Sequence, residues 1–191
     1  LLAVILYLPT VRHGFVLDDG LVTTINEYVK KGFAGFHDIF THSYRAGAAI
    51  TTDSDYMYRP LSVMMFAAEW QFFPDQAWIH HLVNVLLYGL SAIVLFRTLV
   101  RMLGAGRIGV AFLAVLFFVI HPIHVEVVGN IKSRDEILSL LFGMLTLYYA
   151  LKAVGGGYVH LVLSSCFFFL ALLSKEGAVT MLAIVPLALY F

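Results

Sequence analysis

The chain has 191 residues, of which 61% are hydrophobic and 13% charged, and its mean hydropathy is +0.88. A soluble domain carries about a quarter charged residues, so this much apolar surface excludes a single water-soluble core and asks for a bilayer as solvent. Lys and Arg total 12, as do Asp and Glu, which removes the electrostatic ground for a nucleic-acid partner; the single cysteine, Cys166, excludes an intrachain disulfide framework.

The opening run from Leu1 to Leu8 reads as a truncated first span, since no small-residue cleavage pattern follows it. With apolar residues at both ends, the chain reads as a fragment of a longer protein. A polar stretch from Val11 to Pro60 comes next, rich in Gly, Thr, Asp and His. Leu61 to Phe73 is apolar but makes only roughly 20 Å of helix against a hydrocarbon core of about 30 Å. It reads as a helix in the membrane interface, with Glu69, Trp70 and Gln71 towards water.

Trp78 to about Val100 can span. Ile108 to Ile120 is short and runs into His121-Pro122, which predicts a break near membrane depth. Ile137 to Val154, Tyr158 to Leu173 and the run from Ala178 onwards complete an all-α polytopic bundle of about six spans plus the interfacial helix. Gly104-Ala105-Gly106 and Gly155-Gly156-Gly157 are tight connections. Alternation then sorts the loops. One face collects Arg97, Arg101, Arg107 and Lys152 without an acid, as cytoplasmic loops do. The other face receives nearly every Asp, Glu and His, which places it outside the cytoplasm.

Several segments on that face carry chemistry. Asp18-Asp19-Gly20 is either a turn or helix cap or a carboxylate pair suited to general-base work. His121, His124 and Glu126 are either polar residues at a helix start or ligands of a divalent metal, though not at zinc-protease spacing. Ser133-Arg134-Asp135-Glu136 reads as an N-cap with acids in the first turn. Ser174-Lys175-Glu176 is either a charged turn reaching into the bilayer edge or a solvated hairpin with a snorkelling lysine. In Tyr58-Arg59-Pro60-Leu61, Pro60 suits the first helical position. Arg59 suits a phosphate or serves as a headgroup anchor. His80, His81 and Asn84 read as satisfied polar groups at a helix end. Asp53-Ser54-Asp55 has the form of the DxD of soluble nucleotide-sugar transferases but lacks their α/β context.

Taken in order, these pieces resemble the transmembrane and tetratricopeptide-repeat O-mannosyltransferases, a branch of the GT-C membrane glycosyltransferases. The matching residues are Phe15-Val16-Leu17-Asp18-Asp19, Asn26, Tyr58-Arg59-Pro60-Leu61, His81-Leu82-Val83-Asn84, His121-Pro122-Ile123-His124-Val125-Glu126, Ser133-Arg134-Asp135 and Ser174-Lys175-Glu176. Ser133 stands where the family pattern leads one to expect glycine.

The resemblance implies a GT-C-like transmembrane bundle, of which residues 1–191 are one portion. Residues 11–77 would form its first extracytoplasmic loop, and a repeat array would follow further along. It implies a polyprenyl-phosphate donor carrying mannose or a related hexose, a protein hydroxyl as acceptor, and transfer with inversion. The location implied is the extracytoplasmic or lumenal face of a bacterial inner membrane or the endoplasmic reticulum. Asp18 would be the base and Asp19 its orienting partner, while Arg59 and Lys175 would neutralise the leaving phosphate. His121, His124, Glu126, Arg134 and Glu176 would complete the substrate site, with a divalent metal at the histidines left open. Two other classes stay open on the residues alone. An ion- or proton-coupled transporter would place facing acids midway along its spans, and a membrane scaffold for a repeat domain would need no polar cavity.

Overall fold

The computed structural model describes residues 1–48 and 57–190, so Asp53-Ser54-Asp55 lies outside the described residues. The described residues form helices and turns without a strand. Helix α1 (Leu2–Tyr7) continues as a 3-10 turn to Arg12. Three short helices follow, α2 (Asp19–Val22), α3 (Glu27–Lys30) and α4 (Phe36–Thr41). The longer elements are α5 (Pro60–Phe72), α6 (Ala77–Leu103), α7 (Ile108–Ile120), α8 (His124–Gly129), α9 (Arg134–Ala153), α10 (Tyr158–Ser174) and α11 (Met181–Tyr190).

Two helices are long and apolar enough to cross a bilayer, Ala77–Leu103 and Ile131–Ala153. The 27 residues of α6 reach roughly 40 Å at 1.5 Å per residue. The other apolar helices, Leu2–Arg12, Ala105–Ile120, Tyr158–Ser174 and Glu176–Tyr190, are each 10–17 residues long. The outward faces of this bundle are oily. Leu86, Leu90 and Ile93 stand exposed one turn apart on α6, as do Leu113 and Phe117 on α7 and Val159 and Val162 on α10. Contiguous apolar surface of this kind calls for a lipid or protein neighbour.

Side-chain contacts fix the helix directions. Asn84 Nδ2 donates to the Ile131 carbonyl (3.4 Å), Thr98 Oγ1 to that of Met144 (3.4 Å) and Arg101 Nη2 to that of Leu151 (3.2 Å). Helices α6 and α9 therefore run parallel. Ser164 Oγ donates to the Thr146 carbonyl (2.9 Å) and Lys175 pairs with Glu136, so α10 runs back against α9. Helix α1 descends antiparallel to α6, with Tyr7 edge-on to Tyr88 at 5.1 Å. That crossing needs Gly89, because a Cβ there would lie 2.9 Å from Val4 Cγ2. As a result the starts of α6 and α9 and the end of α10 meet at one end of the bundle, while Arg101 lies beside Leu151 and Lys152 at the other.

The polar stretch after α1 is folded. Val22, Val29, Ile39 and Tyr44 pack with Val63, Phe66 and Ala67 of α5 and with Ile131 in a second core. Asn26 is the N-cap of α3, accepting from the amides of Tyr28 (3.0 Å) and Val29 (3.2 Å), a bond set worth about 1 kcal/mol. This small cap sits over the end of the bundle where the charged residues gather.

Candidate active site

The acid pair stands at the start of α2, Asp18 at the N-cap and Asp19 in the first turn, and its two members part company. The Asp19 amide donates to the Val16 carbonyl (3.0 Å), and Asp19 Oδ2 accepts from the Val16 amide (3.0 Å). Asp19 is fully buried, and its Oδ1 accepts from the main-chain N–H of Lys132 (2.9 Å). The turn holds Leu17 at φ 47°, a left-handed conformation that costs a non-glycine residue about 1–3 kcal/mol and persists only where its surroundings enforce it. Asp18 makes no cap bond. Its carboxylate, 49% exposed, turns outward to Lys132 Nζ at 2.7 Å and lies 4.0 Å from Arg45 Nη2. The hydrogen bond and charge of Lys132 hold the Asp18 carboxyl below the usual carboxylate range.

Arg59 stands just ahead of α5, whose first position Pro60 fills. Its guanidinium bridges two acids. Nη1 donates to Asp135 Oδ2 (2.6 Å), while Nε donates to Glu176 Oε2 (2.9 Å) and Nη2 to Glu176 Oε1. The fork lies over the Tyr44 ring, 5.4 Å from its centre, and Tyr44 Oη donates to the Lys132 carbonyl (3.5 Å). Lys175 pairs with Glu136 alongside. Asp18, Lys132, Tyr44, Arg59, Glu176, Lys175 and Glu136 thus form one chain of contacts.

In this group Arg45, Arg59, Lys132 and Lys175 face Asp18, Asp19, Asp135, Glu136 and Glu176, so no cation is in surplus. An oxyanion that takes the Nε/Nη2 edge of Arg59 must displace a carboxylate. Glu176 is the exchangeable one on Arg59, since its side chain is 60% exposed against 4% for Asp135. Arg59 keeps the Glu176 carboxyl below the ordinary glutamate range, so it stays an anion while it sits there.

Behind the cluster lies a buried polar network that the sequence reading does not foresee. Arg134 is wholly buried. It donates from Nε to Asn84 Oδ1 (2.8 Å), from Nη1 and Nη2 to the Glu69 oxygens (2.5 and 3.0 Å), and from Nη2 to the His80 carbonyl (2.9 Å). The Phe66 ring lies 4.2 Å away, and His80 Nδ1 also pairs with Glu69. Ser133 holds the N-cap position of α9 with Asp135 and Glu136 in its first turn, as expected, but its side chain makes no cap bond. One expectation is corrected. Glu69 turns inward, because a guanidinium taken out of water needs a paired acid. His80 and Asn84, in the first turns of α6, are buried members of this network. A stripe at helical spacing, Ser62, Phe66 and Glu69, is the signal that Glu69 shares the buried face of α5.

The segment after α7 does not join the cluster. His124 packs on Phe118 (4.3 Å) and Tyr88 (5.6 Å), and burial, with His121 nearby, holds its imidazole below the usual range. His121 Nδ1 accepts from the Ile123 amide (3.2 Å), and Glu126 is exposed. Among the described residues no three His, Cys, Asp or Glu side chains come together as metal ligands. Lys132, not singled out from the sequence, belongs to the cluster and is joined to it by Tyr44; Asp135, which the sequence offers only as a first-turn acid of α9, belongs to it as well.

No protein-family model matches the chain, and no solved structure does. Curated relatives are found. Protein O-mannosyl-transferase TMTC1 of Homo sapiens is 31% identical over 191 residues, covering 93% of this chain and 21% of that protein. Protein O-mannosyl-transferase tmtc2 of Xenopus laevis is 31% identical over 191 residues, covering 96% and 22%. Protein O-mannosyl-transferase F38B6.6 of Caenorhabditis elegans is 26% identical over 196 residues, covering 98% and 26%. The chain therefore spans about a fifth to a quarter of the length of these relatives. Since they agree on one group and align with nearly all of the chain, they support a TMTC-like family for it.

Proposed function

We propose that this chain forms part of the transmembrane domain of an inverting GT-C-type glycosyltransferase, which moves a hexose from a polyprenyl phosphate to a protein hydroxyl. The relatives' names point to mannose as the hexose. The observation that carries the reading is the exposed Asp18 carboxylate, joined through Lys132 and Tyr44 to the guanidinium of Arg59 at one end of the bundle. One group can take a proton where others can hold a phosphate.

In the proposed step, the acceptor oxygen attacks the anomeric carbon as Asp18 takes its proton, and the bond from that carbon to the phosphate oxygen breaks. A positioned base is worth roughly 10²–10⁴-fold. The departing phosphate gains charge, which Arg59 and Lys175 stabilise once Glu176 yields the Nε/Nη2 edge of Arg59. Asp19 fixes the turn that presents Asp18. An apolar groove of about 420 Å³ between α1, α6 and α7, lined by Leu2, Gly89, Ile93, Phe96 and Phe112, has the chemistry to hold isoprenyl units. The transporter alternative fits less well, because Asp18, Asp135, Glu136 and Glu176 lie at helix ends and Glu69, which turns into the bundle from α5, is already paired with Arg134 and His80.

The cationic end with Arg101 and Lys152 would face the cytoplasm, and the Asp18 end the lumen or exterior. In sealed vesicles of known orientation, the full-length protein is expected to glycosylate a membrane-impermeant acceptor from the extracytoplasmic side, using polyprenyl-phosphate mannose and not a nucleotide sugar. Transfer to an acceptor on the cytoplasmic side, or from the nucleotide sugar alone, would overturn the reading.

A further inference from the structure

One residue touches both members of the acid pair. The Lys132 main-chain N–H donates to Asp19 Oδ1 (2.9 Å), and its ammonium donates to Asp18 Oδ2 (2.7 Å). This is more than a chance surface pair, because the backbone carrying Lys132 is held from two sides. Asn84 Nδ2 donates to the carbonyls of Asn130 (3.2 Å) and Ile131 (3.4 Å), and Asn130 Oδ1 accepts from the Lys132 amide (3.1 Å). Ile131 is fully buried beside it. Asn84 in turn is gripped by Arg134. The ammonium is therefore delivered to Asp18 by a rigid 3-10 turn, Ile131–Ser133.

The bond is selective between the two carboxylate oxygens. Oδ2 faces Lys132 and, at 4.0 Å, Arg45. Oδ1 makes no hydrogen bond to a described residue, and the side chain is half exposed. A carboxylate pinned by one oxygen presents the other in a fixed direction, which is what a base needs to meet an acceptor hydroxyl.

We propose that Lys132 is the positioning residue of the acid pair, locking Asp19 through its backbone and aiming Asp18 through its ammonium so that Oδ1 is the atom that accepts the proton. The proposal rests on Asp18 being the base. Among the described residues the charged groups facing Asp18 are Lys132 from the 3-10 turn, Arg45 from the turns before residue 48, and Asp19 beside it. Lys132 is the nearer cation, so it also governs the pH at which Asp18 loses its proton.

The test is the pH–rate profile of sugar transfer by full-length wild type, Lys132→Gln, Lys132→Arg and Asp18→Asn. Lys132→Gln keeps the backbone bond to Asp19, so the fold survives. It is expected to lower kcat at neutral pH about 10-fold, with the donor KM changed less. Removing the cation also frees Asp18 to hold its proton to higher pH, so the acid limb of the profile moves up. Lys132→Arg restores the limb towards the wild-type position. A structural role alone would move none of these. An unmoved acid limb and a kcat within about 2-fold of wild type in Lys132→Gln would overturn the proposal. If Asp18→Asn is inactive in that case, Lys132 alone loses its role; full activity in Asp18→Asn would instead remove the base assignment beneath it.

Discussion

Asp18→Asn in the full-length protein is expected to lower sugar transfer roughly 10²–10⁴-fold while leaving thermal stability close to wild type. The amide keeps the size of the side chain and can still accept from Lys132, but it cannot take a proton at neutral pH. Half-exposed pairs such as Asp18–Lys132 contribute little to stability, so the fold has small stake in the charge. Asp19→Asn separates the two acids. Both Asp19 oxygens accept buried main-chain N–H groups, and an amide nitrogen in place of one of them would face a donor. That variant is expected to lose about 1–3 kcal/mol of stability, with activity falling only as the fold does. Parallel measurement of transfer and melting temperature checks both statements, and a large activity loss with full stability in Asp19→Asn would reverse the assignment.

The largest effect on stability is expected from Arg134→Met, at about 3–5 kcal/mol. The guanidinium is wholly buried and serves Glu69, Asn84 and the His80 carbonyl together. Removing it leaves the Glu69 carboxylate in a poorly solvated place with only His80 to pair with. The double variant Glu69→Leu/Arg134→Met should recover much of the loss, because replacing a buried pair by apolar residues of similar volume is often neutral or stabilising. Denaturation of the detergent-solubilised protein measures both. A single variant as stable as wild type would mean that the network adds nothing to the fold.

What the sequence reveals is the part governed by composition and local pattern. The apolar runs predict helices that the structure places within a few residues, such as Trp78 to about Val100 against Ala77–Leu103 and Leu61 to Phe73 against Pro60–Phe72. Pro60 at the first turn of α5 is legible for the same local reason. Loop alternation, which needs only connectivity, brings Asp18, Arg59 and Lys175 to the end where the structure has them in one group. Pairings made between distant segments were not legible. Arg134 looks like a first-turn residue after a cap, and only its burial against α5 and α6 shows it as the centre of a network. Glu69 looks like a polar end to an apolar helix until its helical spacing from Phe66 and Ser62 is followed inward. Lys132 is an ordinary lysine in sequence, and its contact with Asp18 spans 114 residues. The His121-Pro122-Ile123-His124-Val125-Glu126 segment, which the family resemblance would place in the substrate site, lies outside the chain of contacts that joins Asp18 to Arg59, and His124 packs against aromatic rings of α6 and α7.

The central claim is that the donor binds at the Asp18 end of the bundle, and photo-crosslinking addresses it most directly. Leu17, beside the base, is 92% exposed, and Tyr158, at the opposite end, is 89% exposed, so a benzoylphenylalanine at either position can reach a ligand without disturbing packing. With labelled polyprenyl-phosphate mannose and the full-length protein, the expected result is strong cross-linking from position 17, abolished by excess unlabelled donor, and none from position 158. Specific cross-linking from position 158, with none from position 17, would contradict it.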